Sequence, residues 1–113
     1  MDCMGQYKVG LSDEAKRDLG RISSYILNEL KAPQASEAVL ADLENAVASL
    51  CFSPERIPLA REDIWKKQGV HAMVVRKYLI YFQMDESNHR VNVIRIIYGR
   101  RDQAAQAENI LPR

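Results

Sequence analysis

Hydrophobic positions in the first half of the chain recur at helical spacing. The first series follows Ser12, a residue typical of a helix N-cap, and it places apolar side chains three or four positions apart up to Leu30. A second series begins at Pro33, which suits a first helical position, and stops before Pro54. Two amphipathic helices with a short link predict an antiparallel helical hairpin.

The second half of the chain has the composition of a sheet. Three successive segments are rich in β-branched and aromatic residues and are predicted strands: Val70–Lys77, Tyr78–Asp85 and Arg90–Tyr98. A polar turn joins the last two. A weaker alternation over Gln6–Leu11 predicts a short strand before the helices, and Ser53–Gly69 is predicted to be irregular. Its segment Leu59–Lys67 could still form a helical turn.

The last predicted strand is apolar on both faces. Simple alternation puts one set of side chains on one face, namely Val91, Val93, Arg95 and Ile97, and the other set on the opposite face, namely Asn92, Ile94, Ile96 and Tyr98. A sheet covered on one side should alternate more cleanly. We therefore expect either the tail Gln103–Leu111 or another chain to cover part of the second face.

The predicted fold class is α+β, with the order β-α-α-β-β-β. A single domain of residues 1–113 places an N-terminal strand and a two-helix antiparallel hairpin on one face of a mainly antiparallel sheet. Residues 1–5 are expected to form a loose tail, and residues 103–113 a C-terminal tail for which a helix is one alternative. The chain shows no signal peptide and no apolar run that could span a bilayer. We expect a cytoplasmic protein, with Cys51 a small core residue carrying a reduced thiol.

Charge is distributed unevenly along the chain. Residues 1–55 contain five basic and nine acidic residues, whereas residues 56–113 contain eleven basic and six acidic residues. Such a dipole points weakly to a nucleic acid or another acidic partner, and an unevenly charged solvated surface is the alternative. The candidate residues for binding a polyanion are Arg76, Lys77, Arg100 and Arg101.

Several short strings, taken in order, resemble the RelE/ParE superfamily of toxins from bacterial type II toxin–antitoxin modules. They are Tyr7–Ser12 with Glu14-Ala15 and Asp18-Leu19, then Ile22 and Tyr25, Leu50 with Pro54, Gly69-Val70, Tyr78–Phe82, Val93–Ile96 and Tyr98–Asp102. The resemblance covers nearly the whole chain. It implies a compact toxin neutralised by a cognate antitoxin. Trp65 and Tyr81 are the candidate contact residues for this partner, and a role in the core is an equal alternative for Trp65.

The resemblance implies two alternative targets. Members of the ParE branch inhibit DNA gyrase by binding, whereas members of the RelE branch cleave mRNA on the ribosome. For a nuclease without a metal, the candidate catalytic residues are Arg76, Arg95, Arg101 and Tyr98, with His71 an alternative for proton transfer. Arg95 could instead be a structural ion-pair partner, and Tyr98 a half-buried strand residue.

The sequence departs from the RelE pattern in two places. The RelE pattern has an arginine early in the strand that corresponds to Tyr78–Ile80, and this stretch has none. The pattern also has a tyrosine in the tail after the arginine motif, whereas Gln103–Asn109 contains no tyrosine, histidine or lysine. The catalytic set is therefore incomplete, and we favour a ParE-like growth inhibitor that acts by binding DNA gyrase. The alternative is a ribosome-dependent mRNA endoribonuclease. We expect no metal, cofactor or membrane partner in either case, because the sequence has neither a Cys/His cluster nor a Gly-rich phosphate loop.

Overall fold

The computed structural model describes residues 6–29, 31 and 33–99, and it confirms the α+β class and the predicted order of the main elements. The helices are α1 (Asp13–Ser24), α2 (Pro33–Ser49) and the single turn α3 (Asp63–Lys66). The strands are β1 (Lys8–Leu11), β2 (His71–Val75), β3 (Tyr78–Asp85) and β4 (Arg90–Tyr98). A π-helical turn, Tyr25–Glu29, continues α1, and a 3₁₀ turn, Pro54–Arg56, follows α2.

One mixed sheet has the strand order β1-β4-β3-β2. The last three strands form the antiparallel meander that the sequence predicts. The position of β1 could not be derived from the sequence, and in the structure it lies at the edge, parallel to β4, with Lys8 opposite Arg90. The first strand therefore pairs with the last, so the two ends of the described chain meet in the sheet.

The helical hairpin packs on one face of the sheet and forms the main core. Apolar residues of α1, its π-helical turn and α2 contact the inner face of β3 and β4. Buried members of this core include Ile22, Ile26, Leu43, Val47, Ile80, Phe82, Val91 and Ile96. Ser12 caps α1 as predicted, because its Oγ accepts a hydrogen bond from the N–H of Ala15 at 3.0 Å.

The predicted alternation along β4 is wrong beyond Val93. Tyr81 pairs with Arg95 and Phe82 with Val93, so Ile94 is an extra residue in a β-bulge. The bulge reverses the inward and outward positions that follow it. Ile96 therefore joins Val91 and Val93 in the main core.

The second face of the sheet is partly covered by the irregular segment that follows α2. Ala60 and Trp65 pack with Val70 and Tyr81 into a smaller cluster, in which the rings of Trp65 and Tyr81 stack at 5.0 Å. This part of the cover comes from neither of the two candidates that the sequence suggested, and the tail Gln103–Leu111 lies outside the described residues.

The side chain of Cys51 is fully buried, as expected of a core residue. Its sulfur belongs to a disulfide, so the interpretation as a reduced thiol is wrong. The other cysteine of the chain, Cys3, lies outside the described residues. Within the described ranges, none of the helices is long and apolar enough to cross a bilayer.

Side chains of α1 close the edge of β4 where β1 stops. The hydroxyl of Ser12 donates to the carbonyl of Ile94 at 2.9 Å, and the carboxylate of Asp18 accepts the N–H of Ile96 at 2.9 Å. The same carboxylate accepts two bonds from the guanidinium of Arg95, from Nε at 2.8 Å and from Nη2 at 3.2 Å. Asp18 is buried, and its hydrogen bonds raise the pKa of Arg95. Arg95 is thus the structural ion-pair partner that the sequence allowed.

Replacing Asp18 by Ala should lower the free energy of unfolding by roughly 2–4 kcal/mol, because it leaves the Ile96 N–H and the Arg95 guanidinium without their acceptor. Asp18→Asn keeps an acceptor for the N–H and should lose less. Urea unfolding followed by circular dichroism measures both. Equal stability of Asp18→Ala and the parent chain would contradict the role assigned to this carboxylate.

Candidate functional site

A groove lies where the ends of four elements converge beyond one end of the sheet. It has a volume of about 770 Å³, and we refer to it as the tyrosine groove. Its lining comprises Arg21, Ile22, Tyr25, Ile26, Ala35, Val39, Arg76, Lys77, Tyr78 and Tyr98. These residues come from α1 and its π-helical turn, the start of α2, the turn between β2 and β3, the start of β3, and the end of β4.

The floor of the tyrosine groove is continuous with the main core. Ile22, Ile26 and Val39 line it and are also buried in that core. The π-helical turn carries Tyr25, which is 56% exposed at the side of the groove. Such turns are uncommon in proteins and are frequent at functional sites. The groove therefore offers an apolar surface that a partner could bury.

The charged residues that the structure describes in the groove lining are all basic. Arg21, Arg76 and Lys77 line the groove, and no aspartate or glutamate is among the described residues of the lining. Arg21 lies in the last turn of α1, whereas the other two form the short turn between Val75 and Tyr78. An apolar floor with a cationic rim favours an amphipathic partner that carries negative charge.

Arg76 is held in an unusual backbone conformation and in an ion pair. Its φ of 55° lies in the left-handed region, which costs a non-glycine residue roughly 1 kcal/mol. Its Nε donates to Oδ2 of Asp42 on α2 at 2.6 Å, and both side chains are about half exposed. This contact joins the β2–β3 turn to the helical hairpin.

Tyrosines form the aromatic wall of the groove. Tyr78 and Tyr98 are opposite each other on β3 and β4, with an edge-to-face contact of 5.4 Å between ring centroids. Burial raises the pKa of Tyr78, and the neighbouring Tyr98 and Tyr25 raise it further, whereas Arg76 opposes them. The phenol of Tyr78 therefore stays protonated at neutral pH and can donate a hydrogen bond.

The structure brings together three of the residues predicted from the sequence, Arg76, Lys77 and Tyr98. Arg95 does not line the groove, and Asp18 binds its guanidinium. His71 begins β2, whose other end leads into the groove, and its Nδ1 lies 2.7 Å from the carbonyl oxygen of Ile57. Its ring also stacks on Phe82. Arg100 and Arg101 lie outside the described residues.

The two candidate antitoxin contacts, Trp65 and Tyr81, lie in the smaller cluster on the second face of the sheet. Both side chains are buried there, and burial raises the pKa of Tyr81 well above its ordinary value. Nε1 of Trp65 is buried without a hydrogen-bond acceptor in the described part of the chain.

Sequence reasoning missed Arg21, Tyr25 and Asp42. Arg21 and Tyr25 are four positions apart, so the helical period that predicted α1 would have placed them on one face, beside the apolar stripe. No local pattern could have found Asp42, because it is 34 positions from its partner Arg76. In the ranges that the structure describes, no three histidine, cysteine, aspartate or glutamate side chains are grouped so as to hold a metal ion.

Comparisons with known proteins agree with this fold. A family model described as the ParE toxin of the type II toxin–antitoxin system, parDE, matches residues 9–103. A search of curated protein sequences gave no significant match. A chain of the chromosomal ParDE toxin–antitoxin system from P. aeruginosa superposes with a TM-score of 0.70 at 14% identity, covering 84% of this chain and 98% of that one.

A second solved structure has the same fold. It is a chain of the toxin–antitoxin complex RelBE2 from Mycobacterium tuberculosis, with a TM-score of 0.58 at 22% identity, covering 87% of this chain and 97% of that one. These likenesses establish the fold alone, whereas the family match spans most of the sequence. The chain therefore belongs to the family of ParE toxins of type II toxin–antitoxin systems.

Replacing Arg76 by Gly should separate stability from function. Glycine adopts a positive φ without strain, so we expect the free energy of unfolding to change by less than about 1 kcal/mol even though the Asp42 pair is lost. Toxicity should fall, because the groove loses a cation. Urea unfolding and growth after induction measure the two effects. Lys77→Gly is the matched stability control, because Lys77 has no positive φ and should lose about 0.5–1 kcal/mol. A larger loss for Arg76→Gly than for Lys77→Gly would contradict this account.

Alkaline pH should unfold the protein through its buried tyrosines. The pKa values of Tyr78 and Tyr81 are raised in the folded state above the unfolded value near 10. Their contribution to stability is therefore complete below pH 10 and is lost as the pH rises through the folded-state pKa values. Absorbance at 295 nm should show delayed ionisation that coincides with loss of the circular dichroism signal, and Tyr81→Phe should remove part of the delayed step. Ionisation of all five tyrosines near pH 10 in a folded chain would contradict the prediction.

Proposed function

We propose that this toxin arrests growth by binding DNA gyrase, and that a cognate antitoxin neutralises it. The observation that carries the proposal is the composition of the tyrosine groove, which combines cations and phenols with an apolar floor and, among the residues that the structure describes, includes no carboxylate or imidazole. Such a surface is suited to binding a protein partner. Since gyrase acts on chromosomal and plasmid DNA, the proposal places the toxin in the cytoplasm.

The surroundings of the candidate catalytic residues argue for binding over RNA cleavage. Cleavage of RNA without a metal requires a general base for the 2′-hydroxyl and a free cation for the phosphorane charge. The guanidinium of Arg95 already donates two hydrogen bonds to Asp18. His71 begins β2, roughly 13 Å along the strand from Val75, which ends β2 beside the groove.

The same groove supports a proposal for the antitoxin. An amphipathic segment that is acidic on one side could lay its apolar residues on the groove floor and its carboxylates near Arg21, Arg76 and Lys77. Such segments are often disordered alone and fold on binding. The structures similar in fold come from systems that pair a toxin with an antitoxin, ParDE and RelBE2.

Trp65 and Tyr81 are retained as a second proposed contact for the antitoxin. Their burial under the segment that follows α2 means that this segment must move before a partner can reach them. Nε1 of Trp65 has no acceptor among the described residues, which supports the proposal, because a partner carbonyl could supply one.

Ribosome-dependent cleavage of mRNA is the second candidate function. The grouping of Arg76, Lys77 and Tyr98 at one groove favours it, since cations and aromatic rings together can hold an unstacked RNA strand. In this alternative, Arg76, Arg95 and Arg101 bind phosphate, and Tyr98 or His71 transfers the proton.

Incorporation of labelled thymidine and labelled methionine, measured minutes after tightly controlled induction, distinguishes the two targets. We expect thymidine incorporation to fall first, because an inhibitor of gyrase stops replication before translation. The phenylalanine variant Tyr98→Phe, which keeps the ring and removes the hydroxyl, should stay toxic. An early fall in methionine incorporation that Tyr98→Phe abolishes would replace the gyrase proposal with the nuclease.

A further inference from the structure

We propose that Asp42 is a built-in competitor for Arg76, which it neutralises in the free toxin and releases when an acidic peptide segment enters the tyrosine groove. The inference rests on the proposed function, because the segment is the acidic region proposed for the antitoxin. In this proposal, Asp42 controls how tightly the partner binds although Asp42 itself does not line the groove.

The charges around the groove motivate this inference. Three cations line it, and of these Arg76 alone has a carboxylate within 4.0 Å among the described residues. The carboxylate belongs to Asp42, which is exposed on α2 and does not line the groove. Among the described residues, no carboxylate pairs with Arg21 or Lys77. These two cations can therefore bind a partner without first breaking an ion pair, whereas Arg76 cannot.

The geometry of the turn makes the competition possible. Val75 pairs with Tyr78, so Arg76 lies in a two-residue turn whose backbone is fixed by its neighbours in the sheet. Arg76 lines the groove, and its side chain reaches α2, where Nε lies 2.6 Å from Oδ2 of Asp42. A carboxylate entering the groove and the carboxylate of Asp42 can thus approach the same guanidinium.

The exposure of the pair makes the competition reversible. The Arg76 and Asp42 side chains are 45% and 48% exposed, so water and salt screen their attraction. An exposed ion pair is weak enough for a partner to displace, yet it still reduces the fraction of toxin whose Arg76 is free. Removing Asp42 should therefore raise the affinity for an acidic amphipathic ligand by ~2–5-fold.

Asp42→Asn is the test, and Glu44→Gln is its matched control. Both variants remove one negative charge from an exposed position of α2, but only the first removes the partner of Arg76. Two ligands are titrated at low salt and in 1 M salt. One is the antitoxin, and the other is the fluorescent probe anilinonaphthalene sulfonate, whose aromatic rings and single sulfonate fit an apolar groove with a cationic rim.

We expect Asp42→Asn to bind both ligands ~2–5-fold more tightly at low salt, and Glu44→Gln to bind them like the parent chain. The gain should vanish in 1 M salt, where the screening length is about 3 Å, and also when Asp42→Asn is combined with Arg76→Gln. No gain, an equal gain in Glu44→Gln, or a gain that persists beside Arg76→Gln would overturn the proposal.

The probe separates this inference from the proposed function. If Asp42→Asn tightens binding of the sulfonate while the antitoxin fails to bind any variant, competition for Arg76 stands and the antitoxin proposal for the groove falls. If the antitoxin binds all variants equally and the sulfonate affinity is unchanged, the groove can still bind the antitoxin, but Asp42 does not control it.

Discussion

The buried carboxylate of Asp18 is the contact on which the arrangement of helices and sheet depends. It accepts the N–H of Ile96 and two bonds from Arg95, at the point where β1 has ended and the edge of β4 would otherwise be open. An open strand edge leaves backbone groups without partners. Because Asp18 lies on α1, the interaction that completes the edge also fixes the helix whose continuation carries Tyr25 to the groove.

Local sequence patterns were sufficient for most of the fold. The bounds predicted for β3 and β4 are those observed, because turn residues and β-branched runs are local signals. The bulge at Ile94 was not predicted, since one extra residue in a strand leaves no trace in the composition. The parallel placement of β1 beside β4 also depends on contacts between distant segments, which a single sequence does not reveal.

Some residues of the candidate site could likewise be predicted from local patterns, and others depend on contacts between distant segments. Arg76, Lys77 and Tyr98 could be predicted because each lies at the end of a strand or in a tight turn, and these positions lie close together at one end of the sheet. Arg21, Tyr25 and Asp42 come from the helical hairpin, and their relation to the sheet depends on how the two layers pack. The sequence left the role of Arg95 open between catalysis and structure, and only the packing of α1 on the sheet reveals that Asp18 binds its guanidinium.

The pairing of β1 with β4 has a consequence for synthesis of the toxin. β4 is an inner strand of the sheet, and among the described strands it is the last to leave the ribosome. Until it emerges, β1 has no neighbour, the carboxylate of Asp18 has no N–H to accept, and the groove lacks Tyr98. A nascent chain therefore completes neither the sheet nor the groove until translation has passed Tyr98. That interval gives the cell time to have the neutralising partner ready when the toxin is released.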